Sequence, residues 1–217
     1  MNWITLKYPV YFGVLLMTLV LGCRKWKELQ TADKVLASLI AITILQEIIA
    51  YFSYKIIKNN MYTYHFYSPI ELFLICYYFN ERSRFLKKRN IGLIIGGVGI
   101  VVSLANTIYL QPLKIFNSYY LLFEGAAIIL LCLLSLSDIL LNELIDFKKQ
   151  SFFWITLALL FYWSTTYTGW GIFGMLDMRK SGLLKILEIV LFFSNLSFYG
   201  VISMVFINYK KLTPSVT

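Results

Sequence analysis

Seven stretches of about 20 residues, nearly free of charge, follow one another along this chain and limit what it can fold into. They run approximately over Ile4–Cys23, Val35–Tyr54, Met61–Asn80, Ile91–Leu110, Ser118–Ser137, Phe152–Trp170 and Leu183–Ile207. Each is long enough to cross the hydrocarbon of a bilayer as a helix. The whole sequence is 59% hydrophobic and only 14% charged over 217 residues, a balance that points to lipid as the solvent. The expected fold is therefore all-α: one seven-transmembrane-helix bundle over residues 1–217, with short loops and no linker, repeat or low-complexity run. The first stretch lacks a basic leader and a small-residue cleavage site, so it reads as a retained helix.

The net charge of +9 would raise nucleic acid as a partner in a soluble protein. Here its distribution says otherwise. Thirteen of the 20 basic residues collect on one side: Arg24, Lys25, Lys27, Lys34, Arg82, Arg84, Lys87, Lys88, Arg89, Lys148, Lys149, Lys210 and Lys211. Lysine and arginine accumulate in cytoplasmic loops, so the N-terminus is expected outside and the C-terminus in the cytoplasm. The expected partners are the bilayer, a small-molecule or lipid ligand, and a cytoplasmic or membrane protein, with no nucleic acid.

Four glutamates lie inside the apolar stretches, at Glu47, Glu71, Glu124 and Glu188. A carboxylate in lipid is costly, so such a residue marks a partner, a water-filled cavity or a function. At about 1.5 Å of rise per residue, Glu47, Glu124 and Glu188 fall roughly 8–10 Å below the outer surface. Tyr51, Tyr67 and Tyr120 each stand four residues from one of the acids and share its helix face. Lys185 precedes Glu188 by three residues, a spacing that predicts an ion pair. The sixth segment adds Tyr162 and a run of hydroxyls that includes Thr166, and His65 sits at the outer interface. The expected site is an outward-facing polar pocket made by Glu47, Tyr51, His65, Tyr67, Glu71, Tyr120, Glu124, Thr166, Lys185 and Glu188. The inner halves of the segments are nearly free of strong polar groups, which predicts an apolar plug beneath it. Only Ser194, Asn195 and Ser197 carry polarity deeper, and a transporter would need Asn195 as a lower site.

Two local readings stay open at this level. The third helix either starts near Met61 with Pro69 as a kink, or starts at a Ser68 cap with Pro69 and Glu71 in its first turn. The Gly92/Gly96 spacing in the fourth segment predicts close helix packing inside the bundle ahead of dimerisation. Cys23, Cys76 and Cys132 have neither disulfide nor metal spacing and read as small apolar residues. One histidine and no cysteine cluster leave no zinc or haem site, and no cofactor is expected. The common catalytic and nucleotide-binding motifs are absent.

The run His65-Phe66-Tyr67-Ser68-Pro69-Ile70-Glu71, then Phe116-Asn117-Ser118-Tyr119 with Glu124, then Phe153-Trp154, resembles a bacterial family of seven-helix membrane proteins without an assigned activity. That family has Asn-Ser-Gly where this chain has Thr156-Leu157-Ala158, and a histidine in its last helix that is missing here. The resemblance implies the bacterial inner (cytoplasmic) membrane. Pro69-Ile70-Glu71 is also similar to the Pro-x-Glu motif of lycopene-cyclase-type membrane enzymes, although their second acid is Leu72 here. The favoured reading is a ligand-sensing or accessory membrane subunit, not an enzyme. The alternatives are an acid-dependent membrane enzyme acting on a lipid or isoprenoid, and a proton-coupled small-molecule transporter.

Overall fold

A computed structural model describes residues 3–141, 147–175 and 181–212. They are mostly helical, joined by short turns, with no strand among the described residues. Seven long helices occupy the seven apolar stretches: α1 (Trp3–Arg24), α2 (Thr31–Ile57), α3 (Met61–Arg82), α5 (Ile91–Ala105), α6 (Ser118–Leu141), α7 (Ser151–Met175) and α8 (Ser181–Ile207). Two short helices, α4 (Arg84–Lys88) and α9 (Tyr209–Leu212), cap the basic end. Over Thr31–Ile57, Ile91–Leu110, Ser118–Leu141 and Lys185–Ile207 the helices are long and apolar enough to cross a membrane.

Local chemistry sets the helix ends. Lys58 stops α2 in a left-handed conformation (φ 59°), its N–H returning to the Tyr54 carbonyl. Ser83 starts α4 by accepting the Leu86 N–H on its side chain. α3 runs unbroken through Pro69, so Ser68 is an interior residue and the capping reading is corrected. A membrane-type helix tolerates the lost backbone bond where neighbours pack around it. α5 continues past Ala105 as a wider π-turn over Asn106–Leu110, and the Gln111 N–H closes it on the Asn106 carbonyl at 2.7 Å.

The helices form a closed ring in which α1 packs on α2 and α8, α2 on α3, α3 on α5 and α6, α6 on α7, and α7 on α8. Gly92 and Gly96 are spent inside this ring. A Cβ on Gly92 would collide with the Cys76 carbonyl and lie 2.8 Å from Asn80 Cβ, and one on Gly96 would stand 3.0 Å from Phe73. The glycines thus let α5 lie backbone-close to α3. The core fills the half of the bundle nearer the basic loops, where Leu36, Ile40, Ile75, Ile128, Leu131, Leu159, Ile202 and Phe206 are almost wholly buried. The three cysteines are free, Cys76 and Cys132 buried and Cys23 exposed.

The expectation of an inner half without strong polar groups needs one correction. α2 begins four residues before Val35 and carries Asp33, fully buried, into its first turn. Arg82 closes α3 and brings its guanidinium to 3.6 Å from the Asp33 carboxylate, while also donating to Gln30 Oε1 and Ser151 Oγ. A compact charged cluster therefore seals the basic end.

Candidate functional site: a carboxylate-lined cavity

A cavity of about 260 Å³ opens at the end of the bundle where α1, α3, α6 and α8 begin and α2 and α7 end. Three carboxylates line it: Glu47 from α2, Glu71 from α3 and Glu188 from α8. Aromatic walls come from Tyr8, Tyr11, Tyr64, Tyr67, Tyr162, Trp163 and Tyr199. The α3 register explains the arrangement. Tyr64, Tyr67, Ser68 and Glu71 recur at three- and four-residue spacing and so share the inward face, while Phe66 and Ile70 turn outward.

Hydrogen bonds hold the walls in place. Tyr67 Oη and Thr43 Oγ1 are 2.7 Å apart, linking α3 to α2. Tyr11 donates to Glu47 Oε1 at 3.3 Å, linking α1 to α2. Thr166 donates to the Tyr162 carbonyl at 2.8 Å, and Thr165 meets Ser194 at 2.6 Å to join α7 and α8. Tyr162 stacks on Phe198 at 5.0 Å between centroids. Two groups in the wall have no hydrogen-bond partner although buried: the Ser68 hydroxyl and the Trp163 indole N–H. A buried donor without an acceptor is costly; Ser68 lies against the Glu124 carboxyl behind the wall, so the Trp163 indole N–H is the group left to bond a ligand or water.

The ion pair is not the predicted one. Glu188 pairs with Lys7 of α1, and Lys185 stands exposed. Lys185 lies three residues before Glu188, but on a helix that spacing alone does not fix the rotamer. Lys7 is itself buried and has the carboxylate directly across the α1–α8 seam. Among the described residues Lys7 is the single lysine or arginine in the cavity wall.

Of the predicted site residues, the cavity brings together Glu47, Tyr67, Glu71, Thr166 and Glu188. It leaves out five. Tyr51 is 59% exposed and faces a separate cleft on the flank. His65 is buried in the α3–α5 seam, with Nδ1 2.9 Å from Thr107 Oγ1 and Nε2 2.9 Å from the Ile115 carbonyl. A carbonyl can only accept, so Nε2 donates to it, and with Thr107 on Nδ1 both ring nitrogens are engaged in a clasp on the π-turn. Tyr120 and Glu124 sit behind the cavity wall, both fully buried, with the Tyr120 hydroxyl and both Glu124 oxygens lacking hydrogen-bond partners. Lys185 is the fifth.

Lys7, Tyr11, Thr43, Gln46 and Tyr199 line the cavity without having been singled out in the sequence. Lys7 and Tyr11 carried a signal, since they stand four apart on one helix face. Asn195 is part of the cavity wall, its amide donating to the Leu191 carbonyl at 2.8 Å, so it marks no separate lower site. Beneath the cavity only about 10 Å³ remains between Leu36, Ile40, Ile75, Leu159 and Ile202. That is space for one water at most.

Among the described residues no three acids, histidines or cysteines gather closely enough to hold a metal ion. The carboxylates are spread around the cavity, an arrangement that suits an organic cation with several contact points. Comparison with family models, curated proteins and solved structures finds no match to the chain, so its chemistry is read from this geometry.

Proposed function

We propose that the chain is a seven-span protein of the bacterial cytoplasmic membrane, with its N-terminus outside, that binds a small organic cation in the outward cavity as a receptor or accessory subunit. One observation carries this reading. Glu47 and Glu71 line a cavity whose one described cation, Lys7, is already engaged by Glu188. An ammonium ligand would pair with these two acids, and tyrosine and tryptophan faces would add cation–π attraction. The tight space beneath the cavity supports a binding role over conduction or transport. The basic loops on the other side offer a surface for anionic lipid or an acidic partner protein.

A second reading has its own support. A cleft on the flank reaches Glu47, as an acid-dependent enzyme acting on a lipid or isoprenoid would require.

The test uses the full chain in lipid nanodiscs, titrated with butylamine and with butanol as the uncharged control. Butylamine should bind with a calorimetric signal and butanol should not. Glu47→Gln and Glu71→Gln should each weaken butylamine by about thirtyfold or more, the usual scale for removing one partner of a buried charge pair. Equal binding of the two probes, or no binding of butylamine, would overturn the reading.

A further inference from the structure

The polar cavity has an apolar neighbour. A cleft of about 760 Å³ runs between α1 and α2 and shares Tyr8, Tyr11, Glu47 and Tyr64 with the cavity. Away from those shared residues Pro9, Phe12, Ile48, Ala50 and Phe52 give it an apolar stretch, while Tyr51, Tyr54, Lys55 and Asn60 line the part nearer the end of α2. Phe52 is 56% exposed and Ile48 39%, so the cleft's outer rim lies on the flank of the bundle, the surface a bilayer would cover. Glu47 stands at the junction, with an acidic, aromatic chamber on one side and an apolar trough on the other.

Chemistry of this kind, charge at one end and apolar surface at the other, matches one class of molecule. We propose that the ligand is a single-chain amphiphile with an ammonium head: the head lies between Glu47 and Glu71, and the alkyl chain lies in the α1/α2 cleft. The proposal deepens the cation reading above and rests on it. The ligand enters sideways from the membrane, head leading, past Tyr8 and Tyr64. The shape argues against a purely apolar guest. A second groove of about 470 Å³ between α3 and α5 is lined by Phe66, Pro69, Ile70 and Phe73 and by no carboxylate. An uncharged chain would find that groove an equal host. Of these two clefts, the one between α1 and α2 ends at an acid.

The experiment compares butylamine, octylamine and octanol on the full chain in nanodiscs, with affinities referred to the free aqueous concentration. Two variants fill the cleft, Ala50→Trp and Ile48→Trp. The second changes a partly exposed position and so guards against a folding failure of the first. In the unmodified protein octylamine should bind at least tenfold more tightly than butylamine, a little under half of the free energy that burying four further methylenes can give. In both filled variants octylamine should lose its advantage and fall to within about threefold of butylamine, whose retained binding certifies the fold.

If butylamine binds but the longer chain adds nothing, or the filled variants keep the gain, the cleft is no tail site and the cation reading survives alone. If octanol matches octylamine in affinity and in sensitivity to the two tryptophans, the head group is irrelevant and the proposal fails. If no amine binds, both readings fall.

Discussion

Tyr209 donates its phenolic hydrogen to Asp33 Oδ2 at 2.5 Å, tying α9 to the first turn of α2 across 176 residues. The same phenol oxygen accepts the Gln30 N–H at 2.9 Å, just before α2 starts. With Arg82 3.6 Å from the same carboxylate, the end of the chain, the end of α3 and the start of α2 meet at one buried acid. The negative charge also suits the positive end of the α2 dipole. Burial, reinforced by the Asp33 carboxylate, pushes the Tyr209 phenol up to about 12, so it remains a donor at any physiological pH.

Tyr209→Phe should lower stability by about 1.5–3 kcal/mol, the range for a hydrogen bond to a charged group. Thermal unfolding in detergent measures it. The difference between wild type and Tyr209→Phe should also depend on pH. Because the folded phenol holds its proton longer than the unfolded one, its contribution is complete below about pH 10 and lost as pH rises towards about 12. A difference constant across that window would show that Tyr209 is not the titrating group.

Arg82→Met should be worse than Arg82→Met combined with Asp33→Asn. The single change strands a buried carboxylate, at a cost of about 3–5 kcal/mol, whereas the pair removes both charges. Equal or additive losses in the two proteins would mean that the two charges act independently.

The Lys7–Glu188 pair should respond asymmetrically. Lys7 has 8% of its side chain exposed and Glu188 has 45%. Glu188→Gln leaves the buried ammonium unpaired, while Lys7→Met leaves a carboxylate that water can still reach. Glu188→Gln should therefore destabilise more than Lys7→Met, and Lys185→Met should stay within about 0.5 kcal/mol of wild type. A Lys185→Met loss as large as that of Glu188→Gln would return the pairing to Lys185.

The glycine seam gives a sharper contrast. Gly92→Ala should cost about 1–3 kcal/mol or more, since the new methyl meets the Cys76 backbone. Gly97→Ala meets nothing within 4 Å and should be neutral or slightly stabilising, because alanine favours the helix. Unfolding midpoints of the two variants side by side decide the matter.

The proposed orientation has its own check. A cysteine introduced at Asn59, beside Lys58, should react with a membrane-impermeant maleimide on intact cells, and one at Lys87 should react only after lysis. The reverse pattern would place the cavity on the cytoplasmic side.

The helices were legible because seven long apolar runs leave little choice of structure. Glu47, Glu71 and Glu188 were legible because an acid in such a run must be accounted for. What stayed hidden depends on contacts distant in the sequence. Lys7 lies near a helix end, where a lysine reads as a topology signal, and nothing local connects it to Glu188. Asp33 precedes the apolar run of α2, and nothing local calls for its burial until Arg82 and Tyr209 arrive from other helices. His65 drew attention as the lone histidine, yet both its nitrogens are consumed by Thr107 and the Ile115 carbonyl. Tyr51 has the right spacing from Glu47, but Glu47 stands at the edge of the inward face, with Ile48 and Ile49 exposed beside it, and the further rotation of about 40° carries Tyr51 onto the flank.

The ring of helices closes where α1 meets α8, with Lys7 and Glu188 181 residues apart. At 5–20 residues per second, a ribosome needs roughly 9–36 s to make the second partner after the first. For all of that time α1 has only α2 beside it, and its lysine waits for a carboxylate that has not been synthesised. The seventh long helix, α8, is thus the one that completes the first. Loss of Glu188 should consequently show more strongly in how much protein a cell accumulates than in how stable the purified survivors are.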